Sequence, residues 1–148
     1  MAAAVPPSRW GLDPLFWSFA RLLCADVNRL ETAPGMSDGH VLDGRQLSQA
    51  ELVGRVVSRR ANDKVINFCV DDGTGAARCM LWAESSKAPP PSHVELRLGD
   101  LVRVRGELKL ETFADGRAMR KVVASSIQTL SDPNAEALHW LEACAPRR

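Results

Sequence analysis

The 148-residue chain contains no tyrosine, only four phenylalanines and four tryptophans, and a formal charge of just +1. A near-neutral molecule has no overall field with which to draw in a polyanion, so nucleic-acid binding has to come from local placement of charge or from a partner subunit. With few rings for bases to stack on, such binding by the chain alone is expected to be weak. The four cysteines, Cys24, Cys69, Cys79 and Cys144, show no CxxC spacing and the three histidines are scattered. Neither a zinc site nor a redox dithiol is indicated, and no cofactor or metal is expected. The cysteines read as reduced thiols, although Cys69 and Cys79 fall on facing strands and can approach each other. No apolar run nears the roughly 20 residues of a membrane span. Arg9 and Asp13 interrupt the N-terminus, so a non-secreted protein without membrane contact is expected.

What the chain does have is a hairpin, VINFCVDDGTGAARCMLW, from Val65 to Trp82. Two short alternating runs flank an Asp/Gly-rich reversal of the kind that supplies positive φ. If Ile66, Phe68 and Val70 point inward with Cys79 and Leu81, the period of two sends Asn67 and Cys69, and across the turn Arg78, Met80 and Trp82, to the opposite face. A cation, a soft apolar side chain and an indole on one sheet face suit a flat anionic ligand such as an unpaired nucleotide. An indole at a strand end equally serves to cap a core, and alternation alone does not choose.

Residues 1–9 are poor in groups to bury and read as a disordered tail, leaving 10–148 as a single domain. Asp13 and Pro14 suit a helix start, and Phe16, Phe19, Leu23, Val27 and Leu30 recur at helical spacing, predicting an N-terminal helix. A turn-rich stretch leads to a short strand near His40 to Leu42. Leu52, Val53, Val56 and Val57 around Gly54 predict a strand with a bulge at the glycine, ending in Arg59 and Arg60. After Trp82, Pro89, Pro90 and Pro91 mark a long connection. In GDLVRVRGELKL, Val102, Val104 and Leu108 face inward, Arg103, Arg105 and Lys109 face out, and Gly106 marks a bulge. Ala114-Asp115-Gly116 reverses the chain into a last strand. Asp132 and Pro133 then open a C-terminal helix whose apolar stripe is Ala137, Leu138, Trp140, Leu141 and Cys144. At about three turns it is too short to stand alone, and its indole suits a subunit interface as well as a contact with its own barrel. The fold class is therefore mainly β: a five-stranded Greek-key OB-fold barrel with an N-terminal and a C-terminal helix, an SH3-like barrel being the rival.

The segments WGLDPLFWSFARLL, ELVGRVVS, FCVDDGTGAARCMLW, GDLVRVRGELK and DPNAEALHWLE occur in an order and spacing that resembles the Stn1 family of the CST (Ctc1-Stn1-Ten1) telomere-capping complex. The VDDGTG turn also looks like the middle subunit of replication protein A, and the WGLDP start favours Stn1. The resemblance implies a single-stranded DNA-binding subunit that pairs with a small OB-fold protein, Ten1, and a large subunit, Ctc1. In the nucleus such a complex protects the G-rich overhang of chromosome ends and assists DNA polymerase alpha-primase in C-strand fill-in. Trp82 falls on the family's stacking indole and Lys109 on its basic position. Ala137, Trp140 and Leu141 fall on the helix that docks Ten1, and Asp71 on the acidic turn position implicated in the same pairing. Many members carry winged-helix domains after the barrel; no role of theirs is carried over, since this chain ends at Arg148.

The expected mechanism is binding without chemistry: bases on Trp82, phosphates along Lys109, Arg78, Arg103 and Arg105. A scaffold that holds Ten1 without touching DNA, or a subunit of a replication protein A type complex, is the alternative. An enzyme is not expected. Asp71 and Asp72 are adjacent and so point to opposite faces of a strand, and His139 and Cys144 have no evident oxyanion donors.

Overall fold

In the computed structural model, which describes residues 18–32, 39–82 and 96–145, the alternating segments become strands and the Asp-Pro segment becomes a helix. In chain order the elements are β1 (Phe19–Arg21), α1 (Cys24–Arg29), β2 (Glu31–Thr32), β3 (His40–Leu42), β4 (Arg45–Leu47), β5 (Gln49–Ala61), β6 (Val65–Asp71), β7 (Ala76–Trp82), β8 (Leu101–Thr112), β9 (Ala118–Thr129) and α2 (Asn134–Cys144). The barrel wall runs β5-β6-β7-β9-β8 and closes from β8 back to β5. Its neighbours are antiparallel except β7 and β9, which run parallel. That topology is the expected Greek-key OB barrel. The proline connection lies outside the described residues.

The barrel interior is filled by residues that alternation assigned to it, Phe68, Val70, Cys79, Leu81, Val102, Val104 and Leu108, together with Leu52, Val56, Val122 and Ile127, and Ile66 packs at the rim. The register of β8 against β9 slips between Arg105 and Gly106. A Cβ at Gly106 would collide with the Val123 carbonyl, so the bulge needs glycine. On β5 the expected bulge moves. Gly54 keeps regular pairing with Val102, and its role is close approach, since a Cβ there would lie 2.8 Å from the Asp71 carbonyl oxygen. The slip occurs instead between Val56 and Ser58, which leaves Val57 turned out to solvent.

The N-terminal helix is shorter than helical spacing predicts. Phe19–Arg21 is a strand, parallel to Gln49–Glu51, and the helix is confined to Cys24–Arg29. The reason lies in β5. Its first half pairs with β8 on one side only, because β6 does not begin to pair until Arg55. The open backbone groups at Gln49–Glu51 are satisfied by β1. Ala20 and Leu22 are buried while Phe19 and Arg21 are not, a period of two hidden beneath the wider apolar spacing. Asp13, Pro14 and Phe16 lie outside the described residues, as does the 1–9 tail.

The hairpin turn caps α1 from across the fold. Asp72 Oδ2 accepts the Cys24 N–H at 2.9 Å and Oδ1 the Thr74 N–H at 3.0 Å, while Thr74 Oγ1 accepts the Ala25 N–H at 3.1 Å. A helix of six residues has little stability of its own, so these bonds tie the turn to the chain entrance. Asp72→Ala is expected to lower stability by about 2 kcal/mol in urea titration, the cost of a cap plus a buried acceptor, and Asp72→Asn by less than half as much. At the barrel mouth β2, β3 and β4 form a small antiparallel sheet. Fully buried His40 donates from Nε2 to the Leu108 carbonyl at 3.0 Å and accepts the Arg120 Nε–H at 3.1 Å. Burial pulls the Arg120 guanidinium below its usual range, and its Nη2 donates to Thr32 Oγ1 at 2.6 Å.

Candidate nucleic-acid groove and partner helix

Strand register places the outward side chains of β6, β7, β9 and β8 in rows. Ser58, Cys69, Arg78, Lys121 and Lys109 are successive cross-strand partners, and so are Arg60, Asn67, Met80 and Val123. Directly paired residues share a face. A groove of about 310 Å³ runs along these rows, lined by Ser58, Arg59, Arg60, Asn67, Cys69, Arg78 and Lys121. Trp82 stands on the same face of β7, 48% exposed beside Val65. The face assignment is as expected, with one correction: Met80 is buried, with Lys121 Nζ 3.8 Å from its sulfur.

Charge in the groove is held in check. Glu111 accepts from Lys121 Nζ at 2.9 Å and lies 3.4 Å from Arg78 Nη2. The Lys121 hydrogen bond, and then the charges of Lys121 and Arg78, hold its carboxyl below the usual range against the opposing pull of burial. The pairing is lost as pH falls through the lowered value, so acid opens it. The Arg78 guanidinium lies 5.3 Å from the Phe113 ring centroid, and its Nη1 is buried without a hydrogen-bond partner among the described residues. Arg59, Arg60 and Lys64, all exposed, have no ion-pair partner among the described residues. Glu111→Gln is expected to tighten binding to a single strand by roughly three- to tenfold and to steepen its salt dependence by about one ion, since two cations become available to phosphates. Fluorescence anisotropy at several salt concentrations checks this.

The five residues expected along DNA therefore divide. Trp82, Arg78 and Lys109 share the outer face of β7, β9 and β8, and Lys109 pairs with Glu107 at 3.1 Å. Arg103 and Arg105 are instead drawn to Glu51 on the flank that α2 covers, Arg105 Nε at 2.6 Å and Arg103 Nε at 3.9 Å. Sequence reasoning passed over Lys121, which lines the groove, and Phe113 and Glu111, which contact its cations. Their signal was the alternation of β8 and β9, readable only once Arg78 and Lys121 were known to be neighbours. Cys69 and Cys79 point to opposite faces, with cross-strand partners Arg78 and Phe68, and all four cysteines are free. Burial pushes the Cys24 and Cys79 thiols upward.

The C-terminal helix is amphipathic in the inverted sense. Asp132 Oδ1 accepts the Asn134 N–H at 2.9 Å, the start that Asp-Pro announces. Along α2 only His139 is buried, while Leu138 is 55% and Leu141 71% exposed and Ala137 and Cys144 also face solvent. With Trp140, Pro133 and Asp72, the residues Ala137, Leu141 and Cys144 line an open apolar groove of about 590 Å³. Trp140 Nε1–H donates to the Asp72 carbonyl at 3.1 Å, which holds the indole at the groove edge. Of the turn acids, Asp72 lines this groove. Asp71 is half-buried and its carboxylate accepts the Gly73 N–H at 2.7 Å.

Residues 50–130 match the family described as OB-fold nucleic acid binding domain. The CST complex subunit STN1 of Arabidopsis thaliana is 32% identical over 141 residues, an overlap of 83% of this chain and 85% of the plant protein. The chain belongs to the Stn1 family. It spans less than half the length of the mammalian relatives that it matches. Among solved structures, the S. pombe Stn1-Ten1 complex superimposes with a TM-score of 0.68 at 19% identity, over 83% of this chain and 86% of the other. A replication protein A heterotrimer bound to single-stranded DNA superimposes with a TM-score of 0.67 at 25% identity, over 85% and 92%. For this Stn1-family chain, the yeast likeness supports the fold, and the plant relative supports the family.

Proposed function

We propose that this chain is a single-stranded DNA-binding subunit that pairs through α2 with a small OB-fold partner of the Ten1 type. The observation that carries the reading is the inverted helix, with its apolar residues outside and a histidine inside. A solvent-facing stripe of Ala137, Trp140, Leu141 and Cys144 has the composition of an interface centre rather than of a free surface. The exposed Trp82 on the same face of β7 as Arg78, with Lys121 on the neighbouring strand and exposed Arg59, Arg60 and Lys64 nearby in sequence, supports single-strand binding by stacking and phosphate contact. Family membership extends the proposal to a CST-type assembly with a Ctc1-like large subunit on G-rich telomeric DNA in the nucleus, protecting chromosome ends and assisting DNA polymerase alpha-primase.

A second reading, a scaffold for the partner without DNA contact, is favoured by Glu51 and Glu111, which occupy much of the outward positive charge. Co-expression with the small OB-fold partner, followed by complex mass and binding to a G-rich single strand over a range of salt, separates the two. A one-to-one complex is expected. The log of its affinity should fall against log salt with a slope of about −2, from roughly 0.7 per phosphate at Arg59, Arg60 and Lys64, which have no ion-pair partner among the described residues. A flat salt response would favour the scaffold.

A further inference from the structure

Glu51 lies on the outward face of β5 yet is only 5% exposed. A carboxylate so far out of water is retained only with partners, and this one has an unusual set. Arg105 Nε lies at 2.6 Å, Arg21 Nε at 3.4 Å, His139 Nδ1 at 3.8 Å and Arg103 Nε at 3.9 Å. Two of the groups in this cluster belong to α2 or reach it. His139 donates from Nε2 to the Leu22 carbonyl at 2.8 Å, and Arg21 bonds Glu142 at 2.8 Å. Since His139 is the one buried residue of α2, no apolar side chain of the helix is sunk into the barrel. Its polar contacts with the rest of the chain go to Glu51, Leu22, Arg21 and Asp72, and the rotation of a helix about its own axis sets which way Trp140 and Leu141 face.

We propose that Glu51 is the positioning residue for the partner helix: by gathering Arg21, Arg103, Arg105 and His139, it locks α2 with its apolar side outward. This inference rests on the proposed docking of a small OB-fold protein to α2, and it adds that a buried carboxylate on the barrel, which does not itself line the apolar groove, controls that docking.

The test uses the full chain with that partner. Glu51→Gln keeps the side chain's size but removes the charge that gathers the three guanidinium groups. The partner Kd is expected to rise tenfold or more. The Trp140 indole N–H resonance, assigned with Trp140→Phe, should move as its bond to the Asp72 carbonyl is lost. Binding of a single strand at the Trp82 groove reports that the barrel remains intact. Should Glu51→Gln fail to fold, Glu142→Gln removes the exposed leg of the latch and is expected to raise Kd about threefold with a smaller shift of the same resonance. An unchanged Kd in the folded variant, or a weakened complex with the Trp140 resonance in place, would overturn the proposal. Leu141→Asp in parallel separates the two ideas: if it pairs as well as wild type, the docking reading itself fails and the proposal with it. If it abolishes pairing while Glu51→Gln leaves pairing intact, only the role of Glu51 falls.

Discussion

Leu141→Asp is expected to raise the Kd for the small OB-fold partner at least about 30-fold, in line with the roughly 2 kcal/mol or more of a central interface anchor. The free chain should lose no more than about 0.5 kcal/mol of stability, because exposed positions tolerate polar residues. Leu141 is 71% exposed and extends the apolar groove beside Ala137 and Cys144. In the free protein an aspartate there stays in water. In the complex it would be buried without a partner, which costs more than the lost apolar contact. Urea titration and isothermal calorimetry together check the contrast. Equal losses of stability and of pairing would show that α2 packs on the barrel through this face.

Trp82→Ala is expected to weaken single-strand binding by about 5- to 150-fold, the equivalent of the roughly 1–3 kcal/mol measured for a base stacked on an aromatic ring. Little stability should be lost, since the indole is 48% exposed at the last residue of β7. With no tyrosine in the chain and Phe113 occupied by Arg78, few other rings stand near to compensate. In an assembly of several OB-folds the loss shrinks, because linked sites share the strand, so the isolated one-to-one complex is the sample to measure. Lys109→Ala, by contrast, should cost little, as Lys109 already pairs with Glu107.

The barrel was legible because alternation is a local property. Phe68, Val70, Val102, Val104 and Leu108 could be placed from spacing alone, and each is buried. Gly106 betrayed its bulge by breaking that spacing in β8. Where the reading failed, the deciding contact lay far away in sequence. Phe19–Arg21 became a strand because β5 had an unfilled edge, something no window around residue 20 reveals. Spacing makes Gly54 a bulge, whereas the cause of the glycine is the Asp71 backbone across the sheet. The candidate site divides in the same way. One strand's period of two places Trp82 and Arg78 on a common face, whereas Arg103 and Arg105 look equally outward and their pairing with Glu51 on a neighbouring strand is not visible in spacing. Charge carries no periodicity that names its partner, and the buried Glu51 and His139 were therefore silent until the fold brought them together.

Two separate surfaces are expected on one small barrel, and amide chemical-shift mapping of the labelled chain tests that separation directly. A G-rich oligonucleotide should perturb Asn67, Arg78, Trp82 and Lys121 and leave Asn134–Cys144 unmoved, whereas the small OB-fold partner should do the reverse. An oligonucleotide that mapped to the α2 face, or a partner that mapped to the Trp82 groove, would contradict it.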